Sequence, residues 1–392
     1  MYFERTLAKE FSKRAGAYPL VAVVGARQAG KTTFLKEHAK GLKASYLLFD
    51  DPDIRNLFEE DIKKFEKQFI EGFEIAILDE VQYCKDAGRN LKYLADTGKK
   101  LWITASSENI LAKEVLSYLV GRVTVMRLYP FSLSEFLTSK GQKAFTQMAL
   151  DRNVWEHITF GGYPRVILNE DIELKKTVLR DLHETMVLKD VAKTFSIEDI
   201  RSLEEFTKYL AINVGKLISY DVISRDLKIS FQTTKKYLDA MEKSYLIARV
   251  QPYFRNKLKE ITKQPKFYFI DTGLRNILTK TFDSDIDGFL FENYTLSELL
   301  KLGYSPKYWR TKSKAEVDFI IEKDNEIIPI EVKLNASATL DSGFYSFIET
   351  YKPKRAFVVF YKGESKEMYV GSCAVKFIHV SNIRDEIGSM QN

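Results

Sequence analysis

Gly25, Ala26, Arg27, Gln28, Ala29, Gly30, Lys31 and Thr32 fill every fixed position of the phosphate-binding pattern G-x-x-x-x-G-K-[ST]. The chemistry follows from the residue types. Two glycines let backbone N–H groups turn inward on phosphate oxygens, and the N-terminus of the following helix, reaching Thr33, adds a favourable field for anions. Lys31 would reach the β- and γ-phosphates of a nucleoside triphosphate, and Thr32 would hold Mg²⁺. Further along, the apolar run 75–78 ends in Asp79 and Glu80. Asp79 would be an outer Mg²⁺ ligand and Glu80 would orient and deprotonate the attacking water, which argues for hydrolysis rather than storage. An acidic pair closing a strand can also be a solvated turn, but the phosphate loop at the right distance weighs against that.

A second constellation lies near the C-terminus. Asp318 interrupts the apolar segment 315–321, Asp324 and Asn325 form an expected turn, and Glu331 and Lys333 flank Val332 in the segment 327–334. Alternate residues on adjacent antiparallel strands share a face. Two carboxylates and an ammonium there would bind Mg²⁺ and activate a water for phosphodiester cleavage. Glu292, on the apolar helical segment 289–303, would add an acidic ligand. The competing reading is a hairpin carrying surface charges.

These groups need a scaffold. Apolar segments at 20–25, 46–50, 75–79, 101–105 and 123–128 alternate with amphipathic ones. That rhythm predicts an α/β fold with a doubly wound, mostly parallel sheet, ligands binding beyond the carboxyl ends of its strands. At the end of the fourth segment, Thr104, Ser106 and Ser107 offer hydroxyls. Ser106 is favoured over Thr104 as a sensor of the γ-phosphate or attacking water, against capping of a helix at Glu108. Arg122 is the candidate arginine finger, offered to a neighbouring subunit of a homo-oligomer, with Arg27 the weaker contender and an ordinary surface arginine the alternative.

Past residue 130 the pattern turns helical, and the breaker Gly161, Gly162, Tyr163, Pro164, Arg165 is expected to join lid helices over the nucleotide. Segments 221–227 and 231–245 have helix-turn-helix spacing, with Ser230 the N-cap of the second and Gln232, Thr233, Thr234, Lys235 and Lys236 on its exposed opening. A hairpin wing from 246–254 and 266–271 follows. Arg255, Lys257, Lys259, Lys263 and Lys266 stand there against Glu260 alone, a charge suited to duplex phosphates. The alternative is a winged helix used for packing.

At 392 residues the chain is long enough for two or three domains, and 45% hydrophobic with 29% charged residues excludes a disordered chain. There is no apolar run of membrane-spanning length and no signal-peptide pattern, so a cytoplasmic protein without membrane association is expected. Two cysteines, Cys84 and Cys373, and four scattered histidines imply neither a disulfide framework nor a zinc site. The net charge of +6 permits nucleic-acid binding.

With these pieces assembled, the chain resembles the bacterial and archaeal AAA-type ATPases that join a P-loop domain to a winged helix and a restriction-endonuclease-like domain. The residues carrying the resemblance are 25–33, 77–82, 119–136 (Leu-Val-Gly-Arg, then Leu-Tyr-Pro-Phe-Ser-Leu-Ser-Glu-Phe), 161–165, 265–274 (Pro-Lys-Phe-Tyr-Phe-Ile-Asp-Thr-Gly-Leu) and 316–333. The resemblance implies ATP and Mg²⁺ as cofactors, with Lys31, Thr32, Asp79 and Glu80 in the roles given above. It also implies a C-terminal PD-(D/E)xK fold with Asp318, Glu331 and Lys333 in metal and water-activating positions; here Glu-Val-Asp stands where that pattern's name has Pro-Asp. The expected organisation is a P-loop ATPase domain at 1–140, a helical lid at 141–196, a winged helix at 197–275 and a restriction-endonuclease-like α/β domain at 276–392. DNA is the expected partner. The alternative is a nucleotide-switched protein that holds a protein partner without cutting.

Overall fold

The computed structural model describes residues 2–388 except 86, 107–115, 142–145, 255, 257, 259, 261, 262 and 338. Ser107, Glu108, Arg255, Lys257 and Lys259 therefore lie outside the described residues.

Five strands, β1 (Leu20–Val24), β2 (Ala44–Leu48), β3 (Ile75–Asp79), β4 (Leu101–Ala105) and β5 (Val123–Arg127), form a sheet ordered β2-β3-β4-β1-β5. Every pairing in it is parallel. β1, β3 and β4 are buried along their whole length, as their unbroken apolar sequences require, whereas the edge strands β2 and β5 alternate. β1 stops one residue before the expected end because Gly25 has φ +151°, and a Cβ there would meet Leu128 O at 2.1 Å.

Between residues 133 and 212 the described regular elements are all helical. The first, Leu133–Ser139, starts with a reciprocal capping box in which Ser132 accepts from Glu135 N and the Glu135 side chain accepts from Ser132 N. The helix Gln147–Phe160 ends at Gly161, and Pro164 opens the short helix Pro164–Ile167. The helix Ile172–Thr185 continues into a π-helical stretch, Met186–Lys193, before Ile200–Ile212. Two N-capped helices follow, Tyr220–Leu227 behind Ser219 and Phe231–Lys243 behind Ser230, whose Oγ accepts from Thr233 N at 2.9 Å. Lys228 makes the turn between them with φ +53°. Gln232, Lys235 and Lys236 are exposed, but Thr234 is fully buried with its hydroxyl 2.8 Å from that of Ser224, so it packs one helix on the other. The hairpin is shorter than expected, β6 (Ile247–Val250) against β7 (Lys266–Phe269).

The last sheet contains β8 (Lys307–Arg310), β9 (Glu316–Lys323), β10 (Glu326–Asn335), β11 (Arg355–Lys362), β12 (Lys366–Val370) and β13 (Cys373–His379). Its order is β12-β13-β11-β10-β9-β8, with β10, β11 and β13 parallel and the rest antiparallel. Asp324 and Asn325, with φ +51° and +63°, close the two-residue β9–β10 hairpin as a mirror-image turn. The helix Gly288–Lys301 is buried on most of its surface, its buried Glu292, Asn293 and Glu298 each held by hydrogen bonds. One hydrophobic cluster joins Phe131, Phe136 and Ile158 to Phe291, Tyr294 and Ile330, so the helical region and the last sheet share a core.

Within the helical region His183 is buried, and its Nε2 has no hydrogen-bond partner. Burial pushes its pKa down from 6.5 to about 4. The unfolded chain binds a proton between those values while the folded one does not, so stability falls as pH drops through that window, by about 3 kcal/mol for this group. His183→Leu is expected to flatten the corresponding limb of stability against pH, measured by urea unfolding. An unchanged limb would refute the assignment.

Candidate functional site

The carboxyl ends of β1, β3 and β4 meet where open parallel sheets bind ligands. The loop leaving β1 carries Ala26 to Ala29 and enters the helix Lys31–His38 through Gly30, at φ +100°. Lys31 is 5% exposed, and its Nζ donates to Gly25 O at 2.9 Å and Ala26 O at 3.0 Å. Burial pushes its pKa down, against the pull of Glu80, Asp190 and Asp79. An ammonium held by its own loop carbonyls can exchange them for phosphate oxygens, which make stronger, charge-assisted bonds.

Thr32 Oγ1 lies 3.0 and 2.8 Å from the two oxygens of Asp79. Tyr46 donates to Asp79 Oδ2 at 2.6 Å, and the Thr104 hydroxyl donates to Oδ1. Hydroxyl and carboxylate oxygens side by side are the donor set a hard divalent cation takes, so these residues fit Mg²⁺. Burial, with the Asp79 carboxylate beside it, pushes the Tyr46 phenol up and keeps it protonated.

Glu80 follows with φ +62°, an uncommon backbone for a non-glycine residue and a form of strain that clusters at functional sites. Its N–H donates to Thr104 Oγ1 at 3.0 Å. Gln82 Nε2 donates to the Glu80 carboxylate and, at 3.1 Å, to Ser106 Oγ, so Ser106 reaches Glu80 through Gln82. Thr104 touches Asp79 and Glu80 directly. The pairing Leu78↔Ile103 makes Asp79 and Thr104 the next neighbours along β3 and β4, a register that the sequence pattern alone does not supply.

The arginines separate. Arg27 grips Asp190 through Nε and Nη2 at 2.9–3.1 Å, with Tyr83 OH 3.4 Å away. Burial opposes its charge, yet the Asp190 carboxylate holds its pKa above the ordinary value. Asp190 O in turn accepts from Ser244 Oγ at 2.8 Å, which ties the phosphate loop to the helix pair 220–243. Arg122 is partly exposed and paired with Asp96 on the sheet's far end from the loop. Arg165 comes within 3.5 Å of Gln28 Oε1, which brings the segment 161–165 against the loop. That segment is anchored by Asp271, which accepts from Gly162 N at 2.8 Å and Gly273 N at 3.0 Å; a Cβ on Gly162 would meet Phe131 O at 2.2 Å. Tyr46 and Asp190 carry no motif of their own, and only the fold brings them here; Gln82 and Asp271 lie in the stretches 77–82 and 265–274, with no role read for them from sequence.

The second constellation also converges. Ile330 pairs with Phe319, so Asp318 and Glu331 are the next antiparallel neighbours, on one face. Asp318 Oδ2 accepts from Val332 N at 2.8 Å. Lys333 Nζ lies 2.9 Å from Glu331 Oε1 and 2.7 Å from Asp341 Oδ2. Burial, then the neighbouring Glu331 and Glu292 carboxylates, pushes Asp318 well above the usual carboxylate range, and burial lifts Glu331 as well. Glu331 is 2% exposed, and its Oε2 has no hydrogen-bond partner. Asp318, Glu331 and Asp341 line a cleft of about 480 Å³. Glu292 lines it too, but its Oε1 is taken by Lys266 Nζ at 3.1 Å and by the Tyr268 hydroxyl. Among the described residues no three His, Cys, Asp or Glu side chains are grouped as a metal set. Mg²⁺ commonly uses only one or two carboxylates and completes its shell with water and phosphate, and the orphaned Glu331 oxygen fits that mode. Lys266, expected on an exposed basic tip, is instead 3% exposed inside this cleft, because the β6–β7 hairpin lies against the last sheet.

Residues 17–137 match a family described as an AAA domain, residues 151–285 a domain of unknown function (DUF8612) and residues 287–381 another (DUF4143). An uncharacterized protein of Haemophilus influenzae is 27% identical over 79% of this chain and 81% of its own length. One of Methanocaldococcus jannaschii is 28% identical over 80% of this chain and 74% of its own. Among solved structures, a Walker-type ATPase of Pyrococcus abyssi aligns over 71% of this chain and 96% of its own, at 14% identity and a TM-score of 0.46. The N-terminal part of the chain is thus a P-loop domain of the AAA type. Among the described residues no helix is long and apolar enough to cross a membrane.

Proposed function

We propose that the chain is a Mg²⁺-dependent ATPase whose nucleotide state governs a winged-helix module and a nuclease-like cleft acting on DNA. The observation that carries the nucleotide half is the contact of Thr32 with both oxygens of Asp79, beside the buried Lys31 ammonium. Backbone N–H groups of residues 25–33 cradle the phosphates, and Lys31 takes the β- and γ-phosphate oxygens. Thr32 and Asp79 hold the cation, which when bound neutralises charge on the transferring phosphoryl group. Glu80, steered by Gln82, takes the proton of the attacking water, and Ser106 reports on it through the same glutamine. Arg122, unengaged by the loop of its own chain, is the arginine for a neighbouring copy in a homo-oligomer. The helices Tyr220–Leu227 and Phe231–Lys243 with the β6–β7 wing would meet DNA phosphates through Lys235 and Lys236. Asp318 and Glu331 would hold the second cation, and Lys333 beside them would help activate a water.

A second reading, a nucleotide-switched module that binds a protein partner without cutting, is favoured by the engagement of Glu292 with Lys266 and Tyr268. One experiment separates the two. Purified chain is incubated with ATP, Mg²⁺ or Mn²⁺ and DNA, beside Glu80→Gln and Asp318→Asn. The first reading expects Glu80→Gln to bind ATP without turning it over, and Asp318→Asn to hydrolyse ATP while losing DNA cleavage. Intact DNA under all conditions, with ATP hydrolysis retained, favours the second. No ATP turnover by the parent chain sinks both.

A further inference from the structure

Lys266 is the last residue expected in a cluster of carboxylates on another module. It opens β7, yet its ammonium is buried between the last sheet and the helix Gly288–Lys301. Nζ lies 2.6 Å from Glu316 Oε1 and 3.1 Å from Glu292 Oε1, and the attraction of Glu292, Glu316 and Asp318 keeps its charge despite burial. The other cations at the cleft have partners of their own: Arg310 holds the second oxygen of Glu316 at 2.9 Å, Lys216 donates to Asn213 Oδ1 at 3.3 Å, and Lys333, beside the lining, bridges Glu331 and Asp341. Glu331 Oε2, buried and without a partner, marks a place in the cleft where a positive ligand is still wanted.

We propose that Lys266 is a tethered counter-ion that competes with a divalent cation for this cleft, so that docking of the β6–β7 hairpin holds the carboxylates in a low-affinity state. The inference rests on reading the cleft as a cation site. A lysine ammonium delivers one charge at the position where Glu292 and Glu316 converge, and it pairs with both. A divalent cation that binds Asp318 and Glu331 must do so against that charge. The two cations repel, and the lower the local dielectric the more strongly their occupancies exclude each other. Because β7 runs directly into Asp271, the anchor of Gly162 beside the phosphate loop, the strand that carries the counter-ion also contacts the nucleotide side of the molecule.

The test uses the full chain without nucleotide and Mn²⁺ as the probe, its binding read by electron paramagnetic resonance of the free ion. Lys266→Met is expected to bind Mn²⁺ at least about tenfold more tightly than the parent. Lys266→Arg, which keeps the charge, is expected to stay near the parent, and adding Glu331→Gln to Lys266→Met is expected to remove the gain. A wild-type measurement guards against a variant that misfolds. Acylation of Lys266, followed by mass spectrometry, is expected to rise when Mn²⁺ is added, because the displaced ammonium becomes reactive. Tight Mn²⁺ binding by the parent, unchanged in Lys266→Met and without added Lys266 labelling, overturns the counter-ion while leaving a cation site. No binding by any variant overturns both.

Discussion

Lys31→Ala is expected to lower ATP hydrolysis by about 10²–10³-fold, with the fold intact by circular dichroism. The side chain sits at the start of its helix, 5% exposed, and its ammonium is held by Gly25 O and Ala26 O rather than by any acid. Removing it therefore strips the loop of its one buried positive charge aimed at phosphates, without leaving a buried carboxylate unpaired. Burial lowers its pKa, and in the same low-dielectric setting its attraction for phosphate oxygens is stronger than that of a solvated lysine. Turnover at the parental rate in this variant would overturn the nucleotide assignment.

Glu135→Ala is expected to destabilise the protein by about 3–5 kcal/mol, the largest stability effect foreseen for a single substitution. Glu135 is buried beside an equally buried Arg5, 3.2 Å away. Its carboxylate also accepts from Thr6 N at 2.6 Å and Ser132 N at 2.9 Å. Burial would push this carboxyl up, yet Arg5 and the two N–H groups hold it below its usual range. Its contribution is thus complete above the ordinary carboxylate pKa and is lost as pH falls through the lower folded value. Truncation leaves the guanidinium buried without its counter-charge. Arg5 also donates to Ala29 O at 3.1 Å in the phosphate loop and to Tyr129 O, so the same change should loosen the nucleotide site. Urea unfolding measures the cost, and the double variant Arg5→Met with Glu135→Leu should recover much of it. A loss below about 1 kcal/mol for the single variant would refute the argument.

The legible parts of this chain are those whose chemistry is local. The phosphate loop is a contiguous backbone device, so eight neighbouring residues suffice to announce it. The three central parallel strands are readable because strands buried on both faces leave unbroken apolar runs, and the alternation of apolar and amphipathic segments supplies the two edge strands. Caps such as Ser230 and the turn at Asp324 and Asn325 depend on one to three residues and were equally visible. The hairpin β9–β10 also brought Asp318 opposite Glu331 as its short turn requires. Strand ends moved by a residue or two where a distant contact intervened, as Leu128 does at Gly25.

What no local pattern could supply is the partner across a module boundary. Thr104 beside Asp79 depends on the register of two strands joined through a long connection, and the sequence alone favours Ser106, two residues on. Arg27 reads as a phosphate-loop residue and the weaker arginine-finger contender until the π-helical stretch places Asp190 against it. Lys266 reads as part of a basic tip until the last sheet closes over it and turns a solvated charge into a buried counter-ion. The sequence by itself determined a phosphate-binding loop, the sheet that carries it and a pair of acidic strands. The tertiary structure alone decided which charges face each other, because ion pairing acts across a few ångströms of space and is indifferent to distance along the chain.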